Sequence, residues 1–424
     1  MSNEEISTET VESKGEAQTL WTKNFTIITL GTAVSMFGNV ISGFATGLLV
    51  LDFTGSVFLF AIYMILYDIP RIVMPQLIGP VMDKFSRRKT IYTLDFMSSA
   101  IYAIFGLILL KGEINFVLLT IGCAMLGTIS SIYTVAYDSF YPLLITEGNM
   151  SKAYSISSTM ESLLMIVTPL SIYLYHKIGI APLFFIDCVC YFIAAVFETQ
   201  IKVKEEYVID KSEKFGLSQY KETFREGIEY LKLEPGLMAI ACYFMFSSFS
   251  GGASMIIGLP YFRGVYGTMG EYIYILVGGG MMLGRLLAGV FHYRHKLNPD
   301  NKFKIAFIVY ISIAVIGGSY LYTPVPCMMI LCFATGVLGM TSYNIRLSAT
   351  QAYVPHEKKG RFNGTFQMMS TFGMLSGEFL AGAMADHMDK RLVLVCFAAM
   401  EFSAAWVFMY RKRKDVKNIY NRET

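Results

Sequence analysis

Gly79-Pro-Val-Met-Asp83-Lys84-Phe-Ser-Arg87-Arg88-Lys89-Thr90 is the stretch on which the reading of this chain turns. It separates two apolar runs, residues 57–78 before it and 96–110 after it. A loop between two such runs is short, cytoplasmic and electrostatically busy. The positive-inside bias of polytopic membrane proteins accounts for Lys84, Arg87, Arg88 and Lys89. That bias predicts composition and not order. It leaves unexplained the spacing G-x-x-x-D-[RK]-x-x-[RK]-[RK], in which Gly79 and Asp83 hold fixed places.

Working outward, composition sets the class. Of 424 residues, 54% are hydrophobic and 16% charged, where a soluble chain carries about a quarter charged. A membrane-crossing helix needs roughly 20 mostly apolar residues, because the hydrocarbon core is about 30 Å thick. Backbone groups in lipid must satisfy one another, so these runs are helices and not open sheet. The fold class is an all-α integral membrane protein. A net charge of +3, with basic residues spread among loops, excludes nucleic acid as a partner. Seven cysteines all lie in apolar runs without a CxxC, which fits reduced thiols used as small apolar residues. His292 and His295 share a helical face but have no Cys or acid beside them, so no metal site is expected. No GxxxxGK[ST] occurs, so the expectation is no cofactor, no enzyme chemistry, and energy drawn from a gradient.

Twelve candidate spans begin near Phe25, Val57, Lys89, Asn115, Ser151, Ala181, Leu237, Glu271, Phe303, Pro324, Arg361 and Arg391. Residues 1–22 are polar and acidic, unlike a signal peptide, and read as a disordered cytoplasmic tail. The remaining segments are a six-helix bundle at 23–200, a charged linker at 201–235, a second six-helix bundle at 236–411 and a tail at 412–424. In the linker, Tyr220, Phe224, Ile228 and Leu231 recur at helical spacing, the pattern of an amphipathic helix lying along the cytoplasmic surface. Loops after even-numbered spans hold most of the basic residues, among them Lys152, Arg294, Lys304 and Lys358. Odd-numbered loops hold Lys111, Lys177, Arg263 and Lys390. Both termini are therefore expected in the cytoplasm, in a plasma (inner) membrane protein.

The opening loop is similar to the one between the second and third helices of major facilitator transporters. Further stretches resemble that superfamily's drug-exporter branch, which includes macrolide-efflux and siderophore-export proteins. These are LWTKNFTIITLGTAVSMFGNVISG at 20–43, FIDCVCYFIAA at 185–195, YKETFREGIEYLKLEPGL at 220–237, GLPYFRGVYG at 258–267 and VPHEKKGRFNG at 354–364. The resemblance implies two bundles rocking around a central cavity. It also implies that Asp83 braces the closed cytoplasmic side against the start of the eleventh helix, near Gly360 and Arg361, with Gly79, Lys84, Arg87 and Arg88 in the same gating motif. A helix N-terminus carries roughly half a positive charge and attracts such an anion. Three departures stand out. Ser86 replaces the family's second loop glycine, residues 117–141 hold no arginine, and the fifth helix keeps Pro169 without its usual glycines.

Ionisable residues inside spans cost about 2.5–3.5 kcal/mol each at a helix centre, so they are functional candidates. Asp68 and Arg71, three apart on the second helix, form a local ion pair or a gating pair. Glu161 has no basic residue within a turn and Glu378 lies among Gly373, Ser376, Gly377 and Gly382, so both are candidates for proton exchange, with Asp138 and Asp68 behind them. Asp95 and Asp187 read as structural. Arg285 and Arg346 are charge partners for these acids or for an anionic substrate group. Asn39, Ser42, Tyr133, Tyr137, Phe244, Phe246 and Phe249 are the cavity candidates, since aromatic and Met-rich walls suit apolar or amphipathic substrates.

The expected function is secondary active export of small amphipathic compounds by alternating access in exchange for protons, by a monomer in contact with membrane lipid. A dedicated exporter or importer of one metabolite (a siderophore, lipid or peptide) remains open, as does a non-transporting membrane receptor of the same fold.

Overall fold

The computed structural model describes residues 19–82, 85–112, 115–147, 149, 152–154, 156–157, 160, 167–203, 217–295, 297–355 and 358–422. Asp83, Lys84 and Glu161 lie outside these residues. The described chain is all helix and turn, without a strand. In the first half the helices are α1 (Lys23–Thr54), α2 (Val57–Met82), α3 (Arg87–Lys111), α4 (Phe116–Phe140), α5 (Thr168–Ile178) and α6 (Ile180–Glu198). The linker contributes α7 (Leu217–Leu233). Then follow α8 (Pro235–Tyr266), α9 (Met269–Arg294), α10 (Lys302–Ser319), α11 (Val325–Tyr353), α12 (Lys359–Ala385), α13 (Lys390–Ala404) and α14 (Arg413–Tyr420). Nine helical stretches among the described residues are long and apolar enough to cross a membrane.

Local chemistry sets the helix ends. Thr22 accepts from the Phe25 amide to start α1, and Gly55, at φ +63°, ends it in the left-handed region that glycine tolerates. Asn115 accepts from the Leu118 amide to start α4. Ser86 does the same for α3, accepting from the Lys89 amide at 3.2 Å. The departure from the family's glycine at that place therefore has a physical reason, because a serine supplies the cap that a glycine lacks.

The two halves repeat one packing scheme. α1 packs on α5 and α6, α2 on α4, and α3 on α4 and α6. In the same order, α8 packs on α12 and α13, α9 on α11, and α10 on α11 and α13. Glycine permits the closest of these approaches. A Cβ on Gly252, Gly373 or Gly377 would collide with the carbonyl oxygen of Met374, Met245 or Phe249, so α8 and α12 touch backbone to backbone. Gly284 and Gly336 do the same for α9 and α11 against Phe333 and Met281. Small residues at such seams are the membrane substitute for a hydrophobic driving force.

The buried core is asymmetric along the helices. At the end holding the α1–α2 turn, one continuous cluster joins both halves, with Leu48, Val57, Phe60 and Ala61 packed alongside Ile256, Leu259, Ala381 and Phe397. At the opposite end, which carries the linker, the buried residues separate into two clusters. Phe25, Ile91, Phe140 and Ile201 belong to the first half, and Leu237, Tyr310, Phe362 and Tyr420 to the second.

Three segments are held more closely than the sequence reading specifies. α7 is anchored to the second half through one face. Its Tyr230 and Leu231 are buried in the second half's core, and Glu226 pairs with Arg361 of α12 at 3.2 Å. Residues 413–420 are a helix and not a bare tail, burying Val416, Ile419 and Tyr420 against α8 and α11. Leu20, assigned from sequence to the disordered tail, is buried beside Phe25.

Candidate transport cavity and gate

The halves are latched at the α1–α2 end by two polar clusters. In the first, α2 begins with three amide groups that no helical carbonyl serves. Ser56 Oγ accepts from the Leu59 amide at 3.2 Å, while the Asp386 carboxylate, just past α12, accepts from Val57 at 2.7 Å and Phe58 at 3.3 Å. Asp386 also accepts from Ser56 Oγ at 2.5 Å. One half thus caps a helix of the other. Beside it, a Cβ on Gly382 would press on Ala61 and Phe58, and Phe58 meets Phe379 edge-on at 5.6 Å.

The second cluster is charged. Arg263 of α8 donates to Asp52 of α1 and sits 3.0 Å from Glu271, in the first turn of α9. Glu271 is fully buried and also takes His176 of α5 at 2.7 Å, while Tyr175 donates to Asp52. Each half thus supplies groups that complete the other's charge balance.

Toward the linker end from this latch lies a cavity of about 550 Å³. Apart from Met255 of α8, its wall comes from the first half. Asn39 and Phe44 of α1, Tyr63, Met64 and Tyr67 of α2, and Tyr102 of α3 contribute to that wall. Asp68 and Arg71 enter it as an ion pair at 3.3 Å, Asp68 largely covered and Arg71 61% exposed. A lone ion pair set in an aromatic and methionine wall suits a molecule with an apolar body and a polar handle.

Of the residues expected at the cavity, Asn39 lines it. Ser42 is buried behind it, donating to Asp187. Tyr133 bonds Glu198 at 3.2 Å and stacks on Tyr137, which stacks on Tyr141. Phe244, Phe246 and Phe249 do not line this cavity. Phe244 meets Tyr243 edge-on, and Phe246 and Phe249 stack on Phe408 and Phe397, because an aromatic at helical spacing fits a helix seam as well as a pore. Arg346 lies over Phe244, Tyr343 and Phe366 at 4.6–5.5 Å. Arg285 and Asp138 are exposed. Gly79 lies in the last turn of α2. Arg87 donates to the Ser139 carbonyl at 2.9 Å and Arg88 to that of Ile201, so both tie the basic loop to its own half. Glu378 is fully buried on α12, with neither carboxyl oxygen partnered. Asp68 lies within electrostatic reach of it across the α2–α12 seam.

Sequence reasoning passed over the latch residues Asp52, His176, Arg263, Glu271 and Asp386, and also Glu198. Arg263 stood inside the GLPYFRGVYG match, which was the one signal available. The others are single polar residues at the ends of apolar runs, where a solvated loop residue looks the same.

Comparison with known proteins fits this geometry. The family model described as Major Facilitator Superfamily matches residues 28–378. Macrolide efflux protein A of Streptococcus pyogenes is 25% identical over 280 residues, 64% of this chain and 67% of its own length. The uncharacterized MFS-type transporter YkuC of Bacillus subtilis is 23% identical over 388 residues, 86% of this chain and 85% of its own. In fold, the crystal structure of the nucleoside transporter NupG aligns at TM-score 0.62 with 15% identity, covering 91% of this chain and 98% of that one. A bacterial homolog of the human lysosomal transporter Spinster, inward-facing and unoccupied, aligns at 0.59 with 13% identity, covering 94% and 98%. The chain is an all-helical multi-pass membrane transporter and belongs to the Major Facilitator Superfamily.

Proposed function

We propose that this protein exports small amphipathic compounds from the cytoplasm across the plasma membrane in exchange for protons. It does so by alternating access between two six-helix halves, residues 23–200 and 236–411, with twelve membrane helices in all. The observation that carries the reading is the asymmetric core, which is joined across the halves at the α1–α2 end and divided at the linker end. A molecule built this way offers its cavity to one side at a time. Loop charge assigns the linker end, with both termini, to the cytoplasm.

The resemblance to macrolide efflux protein A supports export, and the aromatic and methionine wall around Asp68 and Arg71 supports an amphipathic substrate. Glu378 supports proton coupling. A buried carboxylate without a donor is costly to keep charged, so it is held neutral by a proton that an opening seam releases. Asp83 closes the cytoplasmic side in the alternate state by engaging the start of α12, where Glu226 of α7 holds Arg361 in this one.

The test uses inverted membrane vesicles with an imposed proton gradient, a pH reporter and a panel of amphiphilic compounds. Proton movement on adding a compound, present in wild type and lost in Glu378→Gln, is the expected outcome. Wild-type protein, folded and present, that moves neither protons nor any compound would overturn the reading.

A further inference from the structure

The end of α13 carries features that neither the cavity nor the latch uses. The helix runs into a π-helical turn, Ala405–Tyr410, in which the Arg411 amide bonds the Trp406 carbonyl at 3.1 Å. Against Phe246 of α8 it forms an open groove of about 360 Å³, with Met400, Ser403, Val407 and Phe408 in its wall. Met400 and Val407 are exposed on a helix long and apolar enough to cross a membrane, so the groove faces hydrocarbon. From Met400 to Val407 it follows the helix for about 10 Å. Met400, Ser403, Val407 and Arg411 succeed one another at spacings of three and four, so the groove points at the basic run that follows.

In that run Arg411, Lys412, Arg413, Lys414 and Lys417 are all exposed, and Asp415 is the one acid between residues 402 and 422. Among the described residues none of the five cations pairs with a carboxylate. They stand on a folded ledge and not on a loose tail. α14 buries Val416, Ile419 and Tyr420, and the Tyr420 hydroxyl meets that of Tyr310 at 2.8 Å. Just beyond, the Asn421 side chain accepts from the Phe303 amide at 3.1 Å and donates to the Asp300 carbonyl at 2.8 Å. Between groove and ledge, exposed Trp406 stacks on Tyr410 at 4.4 Å, and Arg413 lies over Tyr410 at 4.8 Å. Tryptophan and tyrosine so placed mark a membrane–water boundary.

We propose that groove and ledge together bind one anionic glycerophospholipid, with an acyl chain along the groove and the phosphate on Arg411 and its neighbours. The positive-inside bias accounts for basic residues after a span. It does not account for an apolar groove that leads to them, or for the fold-back that fixes them in place. A cation already held in place loses less freedom on meeting a phosphate than one on a free tail. A soluble anion would use the ledge without the groove, and a zwitterionic lipid the groove without the surplus charge. Placement in the cytoplasmic leaflet, whose anionic lipids make its surface negative, rests on the orientation proposed above. The pairing of groove and charge does not.

The experiment is tryptophan quenching of the full-length protein in phosphatidylcholine nanodiscs. Of the chain's two tryptophans, Trp21→Phe removes one and leaves Trp406 as the only reporter. Phosphatidylglycerol brominated on its acyl chains is added in one series and brominated phosphatidylcholine in the other. Trp406 should be quenched at a several-fold lower mole fraction of the anionic lipid. In that background Arg411→Gln should reduce the preference by roughly fivefold, the worth of one positive charge at an anionic surface. Ser403→Leu, which fills the groove, should abolish it, while Lys232→Gln on α7, an equal loss of charge elsewhere at the linker end, should leave it intact. All four substituted side chains are exposed, so none carries the fold. Equal quenching by the two lipids, an equal effect of Lys232→Gln and Arg411→Gln, or a preference that survives Ser403→Leu would overturn the site. No transport is measured, so this result stands apart from that of the export reading.

Discussion

Replacing Asp386 with alanine removes a helix cap that one half lends to the other. The Val57 and Phe58 amides lose their acceptor, and Ser56 Oγ loses a partner, while Leu59 keeps Ser56. Loss of a capping side chain costs about 1 kcal/mol. Because α2 is capped by Asp386 only while the α1–α2 end is shut, the cost falls on that conformation alone. At about 0.59 kcal/mol for RT, this moves the balance toward the opposite conformation by roughly fivefold. The assay is single-molecule energy transfer in a variant freed of native cysteines, with dyes on Lys89→Cys and Leu233→Cys at the linker end, both exposed. Asp386→Ala should enlarge the population with a short distance. Asp386→Asn should stay near wild type, since asparagine caps about as well as aspartate. An unchanged histogram in the alanine variant, or an equal shift in both variants, would refute the capping argument.

Arg263→Ala should be harsher. It leaves Glu271 buried with only His176, and breaking a buried pair costs about 3–5 kcal/mol. The same dyes should then report mainly the linker-closed state, and adding Glu271→Gln should recover part of the wild-type distribution. Gly377→Ala forces a methyl against the Phe249 carbonyl, and overpacking of about 1–3 kcal/mol should lower the melting temperature without changing the dye populations. Glu378→Gln should keep substrate binding, read by ligand-induced thermal stabilisation, while proton release on substrate addition disappears.

The helices were legible because apolar runs bounded by caps are a local property. Ser86, Asn115 and Gly55 stand where the chain must turn. The latch was not legible, since its partners are far apart in sequence. Arg263 and Asp52 are separated by 211 positions and Asp386 and Ser56 by 330, so each looked like an ordinary loop residue. Phe249 shows the converse failure. Its spacing suited a cavity wall, but it stacks on Phe397 at 4.6 Å within the second half. The linker's helical period was readable, whereas the partner of its apolar face was not. Leu231 of that face, with Tyr230 beside it, packs into the core that holds Phe362.

Alternating access is tested most directly by measuring both ends of one molecule. A second dye pair on Lys111→Cys and Tyr322→Cys, exposed residues of the two halves at the α1–α2 end, complements the linker-end pair. With a proton gradient and a transported amphiphile, the account requires opposed changes: when the linker-end distance shortens, the α1–α2-end distance lengthens. Distances that rise and fall together, or an α1–α2 end that never opens while substrate crosses, would contradict it.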